Sequence, residues 1–416
     1  MKISIKAPFI VGCGALFSSA PSFANKPAST SFVRVTTSKP AYGIRPSLSA
    51  DGTVLLYTTF SEFSEVGGAY KQSVHMDKIA LDPAYKKAPS VLDAYHIEFP
   101  SGAPDGVDVW TSTTPSMNSN GAIVATTPVY PEEAGSEYRD HLRIFKVVKS
   151  TPELLFQKSG NDIDSVNSVR VSRNGAFVAY ATVEYDNGDV KTTVWTYNVM
   201  SKSEKAAWSS NSEVVAVRGI SDDGNRILLS DASESETGGG NISVLNVPTK
   251  AKTMITNVSD LSSGPCSSSW DGTGAMTAFA ASAPLVTGDS NRALDVFLAS
   301  SASPMAPLRI SMANSGRQGN FSSGQPEISR NGLFVTFVSR ADNLRAGDSN
   351  YAKDLYVYSL NKGALVSYVN GNEDINSPTV SSNGRVVAFT SAASNLVPGD
   401  NNKEVDLFVG YPSSLP

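Results

Sequence analysis

Short apolar runs rich in β-branched and aromatic residues recur along the whole chain, and each run follows a small polar turn. Runs such as Phe334–Val338 and Val386–Phe389 are apolar at successive positions, so both faces of the strand are expected to be buried. Two more strand-like segments follow in most repeats, for example those that begin at Asp354 and Ala364. The pattern predicts an all-β fold built from four-stranded antiparallel meanders.

A recurring phrase introduces each apolar run. It reads Pro, any residue, an apolar residue, Ser, any residue, Asp or Asn, and Gly, and it occurs seven times with small variations. Asp-Gly or Asn-Gly between two apolar runs is a strong hairpin signal, because both residues tolerate positive φ. The Ser hydroxyl is expected to bond the backbone of the turn. The seven anchoring glycines are Gly52, Gly121, Gly175, Gly224, Gly272, Gly332 and Gly384.

The spacing of these glycines predicts the architecture. Successive copies lie 69, 54, 49, 48, 60 and 52 residues apart. A propeller blade of four short strands needs about 40–50 residues, so the chain is predicted to form a seven-bladed β-propeller. Six or eight blades remain alternatives, because the first spacing is long enough to contain additional structure.

The two ends of the chain are complementary. The last repeat stops after its third strand, which begins at Asp406, while the segment from Ser31 resembles the fourth strand of the fifth repeat. We therefore expect Phe32–Thr37 to complete the last blade. Closing the ring in this way removes an exposed sheet edge.

Composition and charge exclude several classes of protein. The 416 residues are 40% hydrophobic and 18% charged, with a net charge of −5. A mildly acidic chain without a basic cluster is a poor nucleic-acid binder. Beyond residue 24 there is no apolar stretch of the length that a transmembrane helix needs, so no transmembrane segment is predicted.

The first 24 residues predict an export signal. Basic Met1–Lys6 is followed by apolar Ala7–Ala20 and by the small-x-small site that ends at Ala24. Cleavage there removes two lysines, lowers the net charge from −5 to −7, and leaves residues 25–416 as one propeller domain in the periplasm or beyond. Alternatively, Ile10–Cys13 resembles a lipoprotein box, which implies lipidation of Cys13.

The phrase followed by V-x-F-x-S resembles the TolB-like, WD-repeat-like propeller repeat of bacterial envelope proteins. The last three copies are the most similar, and they extend to SAPLVTGDSNRALDVFLAS, SRADNLRAGDSNYAKDLYVYS and SAASNLVPGDNNKEVDLFVGY. The resemblance covers most of the mature chain and implies a propeller exported to the bacterial envelope. TolB-type proteins carry an α/β domain ahead of the propeller, and this chain has only a few residues there, so a Tol–Pal role is not implied.

The motif G-D-[SN]-N-x-x-x-D in these three copies could hold a hard cation such as Ca²⁺. Ca²⁺ takes six to eight oxygens, and the fifth position supplies no ligand in two of the copies, where it is Ala293 or Ala352. The alternative interpretation is a rigid turn whose Asp and Asn side chains bond backbone N–H groups. The candidate ligands are Asp289, Asn291, Asp295, Asp348, Asn350, Asp354, Asp400, Asn402 and Asp406.

The mouth of the central channel is the second candidate site, because the segments that enter the innermost strands converge there. Three of its residues are arginines, which could together clamp a carboxylate or an acidic peptide end. Alternatively, each arginine packs within its own blade. The candidate ligand-binding residues are Arg45, Arg170, Arg218, Gln325, Glu327 and Asn376.

Catalytic chemistry has little support in the sequence, and no catalytic residue is assigned. The three histidines, His75, His96 and His141, fall in the first two repeats, and a metal site of several histidines would need all of them. Long segments at 62–77, 100–110 and 131–140 are expected to form loops on one face, where binding often resides.

These observations favour a non-enzymatic module that binds a protein or peptide partner in the envelope. The alternative is a carbohydrate-active propeller, either a glycan-binding protein or a uronic-acid lyase. A third hypothesis is a purely structural scaffold. No cofactor is predicted with the exception of the Ca²⁺ alternative.

Overall fold

A computed structural model describes residues 32–35, 46–60, 64–66, 69–71, 74–82, 90–103, 108–111, 115–131, 137–148, 150–158, 165–186, 189–231, 240–257 and 267–415. Within these ranges the chain forms strands, turns and bends, and contains no helix. The predicted signal peptide, Cys13 and Arg45 lie outside the described residues.

The first two blades are built from the N-terminal part of the chain. Blade 1 has the strand order β2-β3-β6-β7 and blade 2 the order β9-β10-β13-β14. In chain order the strands are β1 (Phe32–Arg34), β2 (Pro46–Leu48), β3 (Val54–Phe60), β4 (Ser64–Val66), β5 (Ala69–Lys71), β6 (Val74–Asp82), β7 (Ser90–Phe99), β8 (Trp110–Thr111), β9 (Ser116–Met117), β10 (Ile123–Thr126), β11 (Pro128–Pro131), β12 (Tyr138–Asp140), β13 (Leu142–Val148) and β14 (Thr151–Lys158).

Blades 3, 4 and 5 follow as regular meanders of four consecutive strands each. Their strands are β15 (Ser165–Val171), β16 (Phe177–Asp186), β17 (Asp189–Asn198), β18 (Ser203–Ser210), β19 (Val215–Ile220), β20 (Arg226–Asp231), β21 (Ile242–Asn246), β22 (Lys252–Met254), β23 (Ser267–Trp270), β24 (Met276–Ala281), β25 (Asp295–Ser300) and β26 (Ser303–Arg309).

Blades 6 and 7 contain the C-terminal part of the chain. Blade 6 has the order β27-β28-β29-β30 with β34 added at its outer edge, and blade 7 has the order β31-β32-β33-β1. Their strands are β27 (Ser323–Ile328), β28 (Phe334–Ser339), β29 (Asp354–Ser359), β30 (Ala364–Val369), β31 (Ile375–Val380), β32 (Val387–Ser391), β33 (Asp406–Gly410) and β34 (Ser413–Ser414).

The architecture confirms the predicted seven-bladed propeller and its closure. Strand β1 pairs antiparallel with β33, with Phe32 opposite Gly410 and Arg34 opposite Phe408. Val35 extends the pairing by donating its N–H to the carbonyl of Leu407. The remainder of the predicted closing strand, residues 36 and 37, lies outside the described residues.

The hydrophobic core lies between neighbouring blades, which explains why the strands are apolar on both faces. Between blades 5 and 6, Ala278 and Val296 pack against Val335, Phe337 and Tyr356. All five side chains are fully buried. The first strands of neighbouring blades also contact each other, as β15 contacts β19 and β27 contacts β31, so these strands surround the central channel.

Candidate functional site

The antiparallel order of the strands gives the ring two different faces. The connection into the first strand of a blade and the connection from its second to its third strand lie on one face, here called the mouth face. The hairpin turns of the repeated phrase and the connections from third to fourth strands lie on the opposite face, here called the turn face. The two faces are built differently.

On the turn face, the Ser and Asn or Asp side chains of the phrase hold the hairpin as the sequence predicts. In blade 6, Ser329 Oγ donates to Asn331 Oδ1 at 2.8 Å and accepts the N–H of Phe334 at 3.0 Å. Gly332 follows with a φ of +72°. Blade 2 has Asn118 in place of Ser, and its Oδ1 accepts the N–H of Ile123 in the same way at 3.0 Å. An amide therefore substitutes for the hydroxyl.

The fifth copy of the phrase is shifted by two residues from the predicted alignment. Asp271 takes the position of the Ser, because its Oδ1 accepts the N–H of Met276 at 3.0 Å. Thr273 takes the position of the Asn, with its Oγ1 2.6 Å from Asp271 Oδ2. The glycine with positive φ is Gly274, at +68°, so the prediction that Gly272 anchors this turn is wrong.

With this correction, the variable residue after the Ser forms a ring around the channel, here called the x ring. Backbone bonds join four pairs of neighbours in this ring, for example from Ser119 N to Arg173 O at 3.0 Å and from Gly272 N to Arg330 O at 2.8 Å. Side chains next to the ring add further bonds, as from Asn331 Nδ2 to Ser382 O at 2.8 Å. The members of the x ring are Ala50, Ser119, Arg173, Asp222, Gly272, Arg330 and Ser382.

Two charged members of the x ring bridge the channel at the turn face. Arg173 of blade 3 donates to Glu327 Oε1 of blade 6 at 2.8 Å and to the carbonyl of Trp270 in blade 5 at 3.0 Å. Arg330 of blade 6 donates through Nη2 to Asp222 Oδ2 of blade 4 at 2.9 Å. The Arg173–Glu327 pair passes over two intervening blades and the Arg330–Asp222 pair over one, so this end of the channel is crossed by ion pairs.

The absence of a side chain at Gly272 leaves room for the second bridge. A Cβ added there would lie 2.8 Å from Asp222 Oδ2 and 3.1 Å from both Cγ and O of Arg330. Glycine is therefore required at this member of the x ring by close approach rather than by positive φ.

The structure brings together two of the residues predicted at the channel mouth and gives Glu327, Arg170 and Arg218 separate partners. Gln325 Nε2 donates to Asn376 Oδ1 at 3.3 Å, and Gln325 Oε1 accepts the N–H of Ser377 at 2.7 Å. Glu327 pairs instead with Arg173, which was not predicted. The assignment of Gln325, Asn376 and Glu327 to ligand binding stays a prediction.

Two of the three predicted arginines donate hydrogen bonds within their own blades. Arg170 donates to the carbonyl of Val169 at 2.7 Å, and Arg218 Nε donates to Ser230 Oγ at 2.7 Å. Both are half-buried on the first strands of adjacent blades. Residue 45 lies outside the described ranges.

The amides of the G-D-[SN]-N motif form turns and, in two blades, link the blade to its neighbour. Asn291 Oδ1 accepts the N–H of Ala293 at 3.0 Å, while its Nδ2 donates to the carbonyl of Gly319 on the connection into blade 6 at 2.8 Å. Asn350 repeats this link with the carbonyl of Gly371 at 3.0 Å. In blade 7, Asn402 Nδ2 donates to Asp406 Oδ2 at 3.2 Å.

A guanidinium lies between the two carboxylates of each motif. In blade 5, Arg309 Nη1 is 3.0 Å from Asp289 and 3.4 Å from Asp295. In blade 7, Arg34 is 2.8 Å from Asp400 and 3.4 Å from Asp406. The closing strand therefore contributes a buried ion pair as well as backbone bonds.

Blade 6 achieves the same arrangement with an arginine from a different position. Arg345 is 3.1 Å from Asp354 and 3.9 Å from Asp348, and its guanidinium lies 4.6 Å from the ring centroid of Tyr368. Tyr368 pairs with Tyr356 as Arg309 pairs with Phe297, so it occupies the strand position that is Arg in blades 5 and 7. Blade 6 therefore carries its arginine on the loop, whereas blades 5 and 7 carry theirs on the strand.

Burial raises the pKa of one carboxyl group in the motifs of blades 5 and 6. Burial, together with the nearby Asp348 carboxylate, raises the pKa of Asp354 to about 7 even though Arg345 opposes the rise. In blade 5, burial and the Asp295 carboxylate raise the pKa of Asp289. The guanidinium is the counter-charge that keeps such carboxylates buried.

These contacts support the turn interpretation of the three motifs, because the space between each pair of carboxylates holds a guanidinium. Among the described residues, no group of three or more His, Cys, Asp or Glu side chains is arranged to hold a metal ion. Calcium binding at these loops remains an untested prediction.

The histidines occupy two different environments. His75 and His96 stack with ring centroids 4.8 Å apart on the outer strands of blade 1, and His96 Nδ1 is 2.8 Å from Asp77 Oδ1. The hydrogen bond to Asp77 raises the pKa of His96, whereas burial and the His96 charge lower that of His75. His141 instead stacks on Tyr130 at 3.7 Å.

The three long segments of the first two repeats all belong to mouth-face connections. The first contains the β4–β5 ribbon between β3 and β6, and the second joins β7 to blade 2. The third extends blade 2 into the small sheet β12-β11-β8, where Trp110 and Tyr138 are in contact at 4.6 Å. The described parts of these segments therefore share a face with Gln325 and Asn376.

Comparison with solved structures identifies similar propellers of low sequence identity. The β-propeller domain of the trilobed protease from Pyrococcus furiosus matches with a TM-score of 0.53 and 10% identity, over 90% of this chain and 98% of that chain. The Pyrococcus horikoshii acylaminoacyl peptidase matches with a TM-score of 0.50 and 8% identity, over 90% of this chain and 52% of that chain. TolB from Acinetobacter baumannii matches with a TM-score of 0.39 and 13% identity, over 87% of this chain and 80% of that chain.

The two Pyrococcus likenesses show the fold. TolB structures are among the similar ones, and the propeller implied by the repeat resemblance is confirmed by the blades themselves. The Pyrococcus furiosus domain has an open velcro topology, whereas here β1 pairs with β33 inside blade 7. No protein-family model and no curated protein matches the chain. In the described part of the chain, nothing helical is long or apolar enough to cross a bilayer.

Proposed function

We propose that this protein is an exported, non-enzymatic propeller that binds a protein or peptide partner of the bacterial envelope through its mouth face. The observation that carries the proposal is the contrast between the two faces. On the turn face, short hairpins are joined by backbone bonds and two ion pairs cross the channel. The long connections all lie on the other face.

The mouth face also presents exposed aromatic side chains. Tyr138 is 47% exposed, Tyr185 67% and Tyr351 70%, and they belong to blades 2, 3 and 6. Aromatic residues are enriched at protein interfaces, where they bury a large area at low entropic cost. Long loops on a rigid scaffold commonly carry binding. Together these features favour a partner that covers a broad part of this face.

Site-specific photo-crosslinking in bacterial cells tests the proposal. A photoreactive phenylalanine analogue replaces Tyr185 or Tyr351 on the mouth face, and Met200 serves as the control because it is 92% exposed on a turn-face connection of blade 3. We expect the two mouth-face positions to crosslink to the same envelope protein, and the control position not to do so.

Crosslinking to that protein from Met200 alone, or equally from all three positions, would contradict binding at the mouth face. Export is tested separately by fractionation and N-terminal sequencing. A periplasmic or secreted chain that begins at Asn25 supports the signal peptide, whereas a full-length cytoplasmic chain refutes it.

A further inference from the structure

A shallow pocket of about 480 Å³ opens on the mouth face at the junction of blades 5 and 6. One wall belongs to the motif loop of blade 5, one to the corresponding loop of blade 6, and the floor to the connection between the blades. The lining residues are Asn291, Arg317, Gln318, Gly319, Asn320 and Asn343. The wall is thus formed by carboxamides, with a single guanidinium.

Hydrogen bonds hold the amide wall in place. Asn343 Nδ2 donates to the carbonyl of Gln318 at 2.9 Å, and its Oδ1 accepts the N–H of Asn320 at 3.1 Å. Gln318 exchanges hydrogen bonds with Ser290, and Asn320 Nδ2 donates to Asp342 at 2.7 Å. The pocket is therefore formed in advance of any ligand.

The junction of blades 6 and 7 provides an internal comparison. There Asn395 Nδ2 donates to the carbonyl of Asn370, and its Oδ1 accepts the N–H of Asn372, so the same amide pair joins the two blades. What differs is the connecting segment. Residues 311–317 have no counterpart at that junction, where Val369 is followed directly by Asn370. The amide pair serves to join the blades, but the additional segment is not needed for that purpose.

The additional segment is ordered and places Arg317 at the pocket. The N–H of Ala313 donates to the carbonyl of Arg317 at 2.9 Å, closing a tight turn. Asn314 fixes the turn to blade 6 through two bonds to the backbone of Leu365, both of 2.9 Å. Arg317 is exposed, and within the described ranges its guanidinium has no ion-pair or hydrogen-bond partner.

The unused hydrogen-bonding capacity of the wall consists mainly of donors. The carboxamides of Gln318, Asn320 and Asn343 each use one N–H within the described structure and keep a second. Arg317 adds its guanidinium donors in a planar fork that suits a carboxylate. Most acceptors are already occupied, as Gln318 Oε1 accepts from both Ser290 and Arg309. A neutral sugar has no negative charge for Arg317 to pair with, whereas a carboxylate does.

Apolar surface adjoins the pocket. Phe321 directly follows Asn320 and is 42% exposed, and its ring makes an edge contact with the exposed ring of Tyr351 at 5.9 Å. A ligand that joins a carboxylate to an apolar group can therefore engage the donors and the two aromatic rings together.

We propose that this pocket binds the carboxyl terminus of a peptide, with the terminal carboxylate at Arg317 and an apolar last side chain against Phe321 and Tyr351. The inference rests on the proposed function and specifies the partner as a chain that ends in a free carboxylate next to an apolar residue. Capture of a terminal carboxylate by convergent N–H donors is a recurring mode of peptide recognition.

Ligand-observed NMR on the full chain tests this assignment with N-acetyl-Gly-Gly-Phe as the probe. We expect saturation transfer to the free acid, and binding at least about tenfold weaker for the matched carboxamide, which lacks the charge that Arg317 pairs with. Arg317→Gln is expected to weaken binding of the acid similarly. Lys403→Gln removes an equal charge from the motif loop of blade 7 and is expected to leave binding unchanged.

Three outcomes would overturn the assignment: no transfer to the acid, equal binding of acid and carboxamide, or undiminished binding by Arg317→Gln. Digalacturonate binding that depends on Arg317, without peptide binding, would also overturn it and identify a sugar site. If the crosslinks from Tyr185 and Tyr351 persist while the probe fails to bind, only this assignment is lost. If the crosslinks fail while the probe binds, the broader proposal is the one refuted.

Discussion

Replacing Arg345 by Val is expected to destabilise blade 6, and adding Tyr368→Arg to the same chain is expected to restore much of the loss. Val is the residue that blades 5 and 7 carry at this loop position, as Val286 and Val397. Arg is the residue that they carry at the strand position of Tyr368. The double variant therefore rebuilds in blade 6 the arrangement that its neighbours already use.

The expected magnitude follows from burial. The side chains of Asp348 and Asp354 are 3% and 0% exposed, so without Arg345 two carboxylates stay buried with no guanidinium between them. Removing one partner of a buried ion pair costs about 3–5 kcal/mol. Loss of the cation–π contact with Tyr368 adds about 1 kcal/mol. The second substitution is expected to recover at least about 2 kcal/mol as a coupling energy.

The loss is also expected to depend on pH. Because the folded-state pKa of Asp354 is raised from 3.8 to about 7, proton binding by this group stabilises the fold fully below pH 3.8, and this contribution is lost as the pH rises through about 7. Arg345 opposes the rise, so without it the ionised form is costlier still. Arg345→Val should therefore lose more stability at pH 8 than at pH 5.

Urea unfolding of the wild type, both single variants and the double variant, at pH 8 and pH 5, measures these quantities. Tyr368→Arg alone is the control for the introduced arginine. A loss below about 1 kcal/mol for Arg345→Val, as for an exposed pair, would refute the argument from burial. So would a double variant no more stable than Arg345→Val.

Three further predictions concern the x ring, the closing strand and the motif loops. Gly272→Ala is expected to lower the free energy of unfolding in urea by about 1–3 kcal/mol, because its Cβ meets the Asp222–Arg330 bridge. Ser119→Ala, at an equivalent x-ring position, should change it by less than about 0.5 kcal/mol. Equal effects of the two variants would contradict the close approach at Gly272. Phe32→Ala is expected to cost about 3 kcal/mol, since Phe32 is buried against Phe389; a negligible loss would argue against closure by β1. The thermal midpoint should be the same in calcium and in EDTA, and a calcium-specific rise would show instead that the folded chain binds the ion.

The blades could be predicted from the sequence because their signals are local. The Ser and Asn side chains bond the backbone within five residues, and Gly332 needs positive φ for the same turn. Closure was predictable from the missing last strand. The fifth turn was misplaced because Ser269, Asp271 and Gly272 match the phrase, whereas the turn that forms uses Asp271 and Thr273 in place of Ser and Asn. The strand pairing, which ends with Trp270 opposite Thr277, fixes the register of this turn.

The ion pairs across the channel and the buried guanidinium groups could not be predicted from local sequence signals. Arg173 and Glu327 are 154 positions apart in the sequence, so nothing local connects them. In the motif loops the carboxylates were visible, but their counter-charge comes from a strand in two blades and from a loop in the third. A charged residue at the variable position of an otherwise uniform phrase was the one available signal for the x ring.

The ion pairs at the turn face affect the direction from which a small molecule can enter the central channel. Two ion pairs cross the turn-face end of the channel, so we expect a small molecule to enter more readily from the mouth face. A small molecule that enters first would be retained by any partner that then covers the rim, and it could leave only after that partner dissociates. The small molecule would then bind before the partner, and the partner would dissociate before the small molecule.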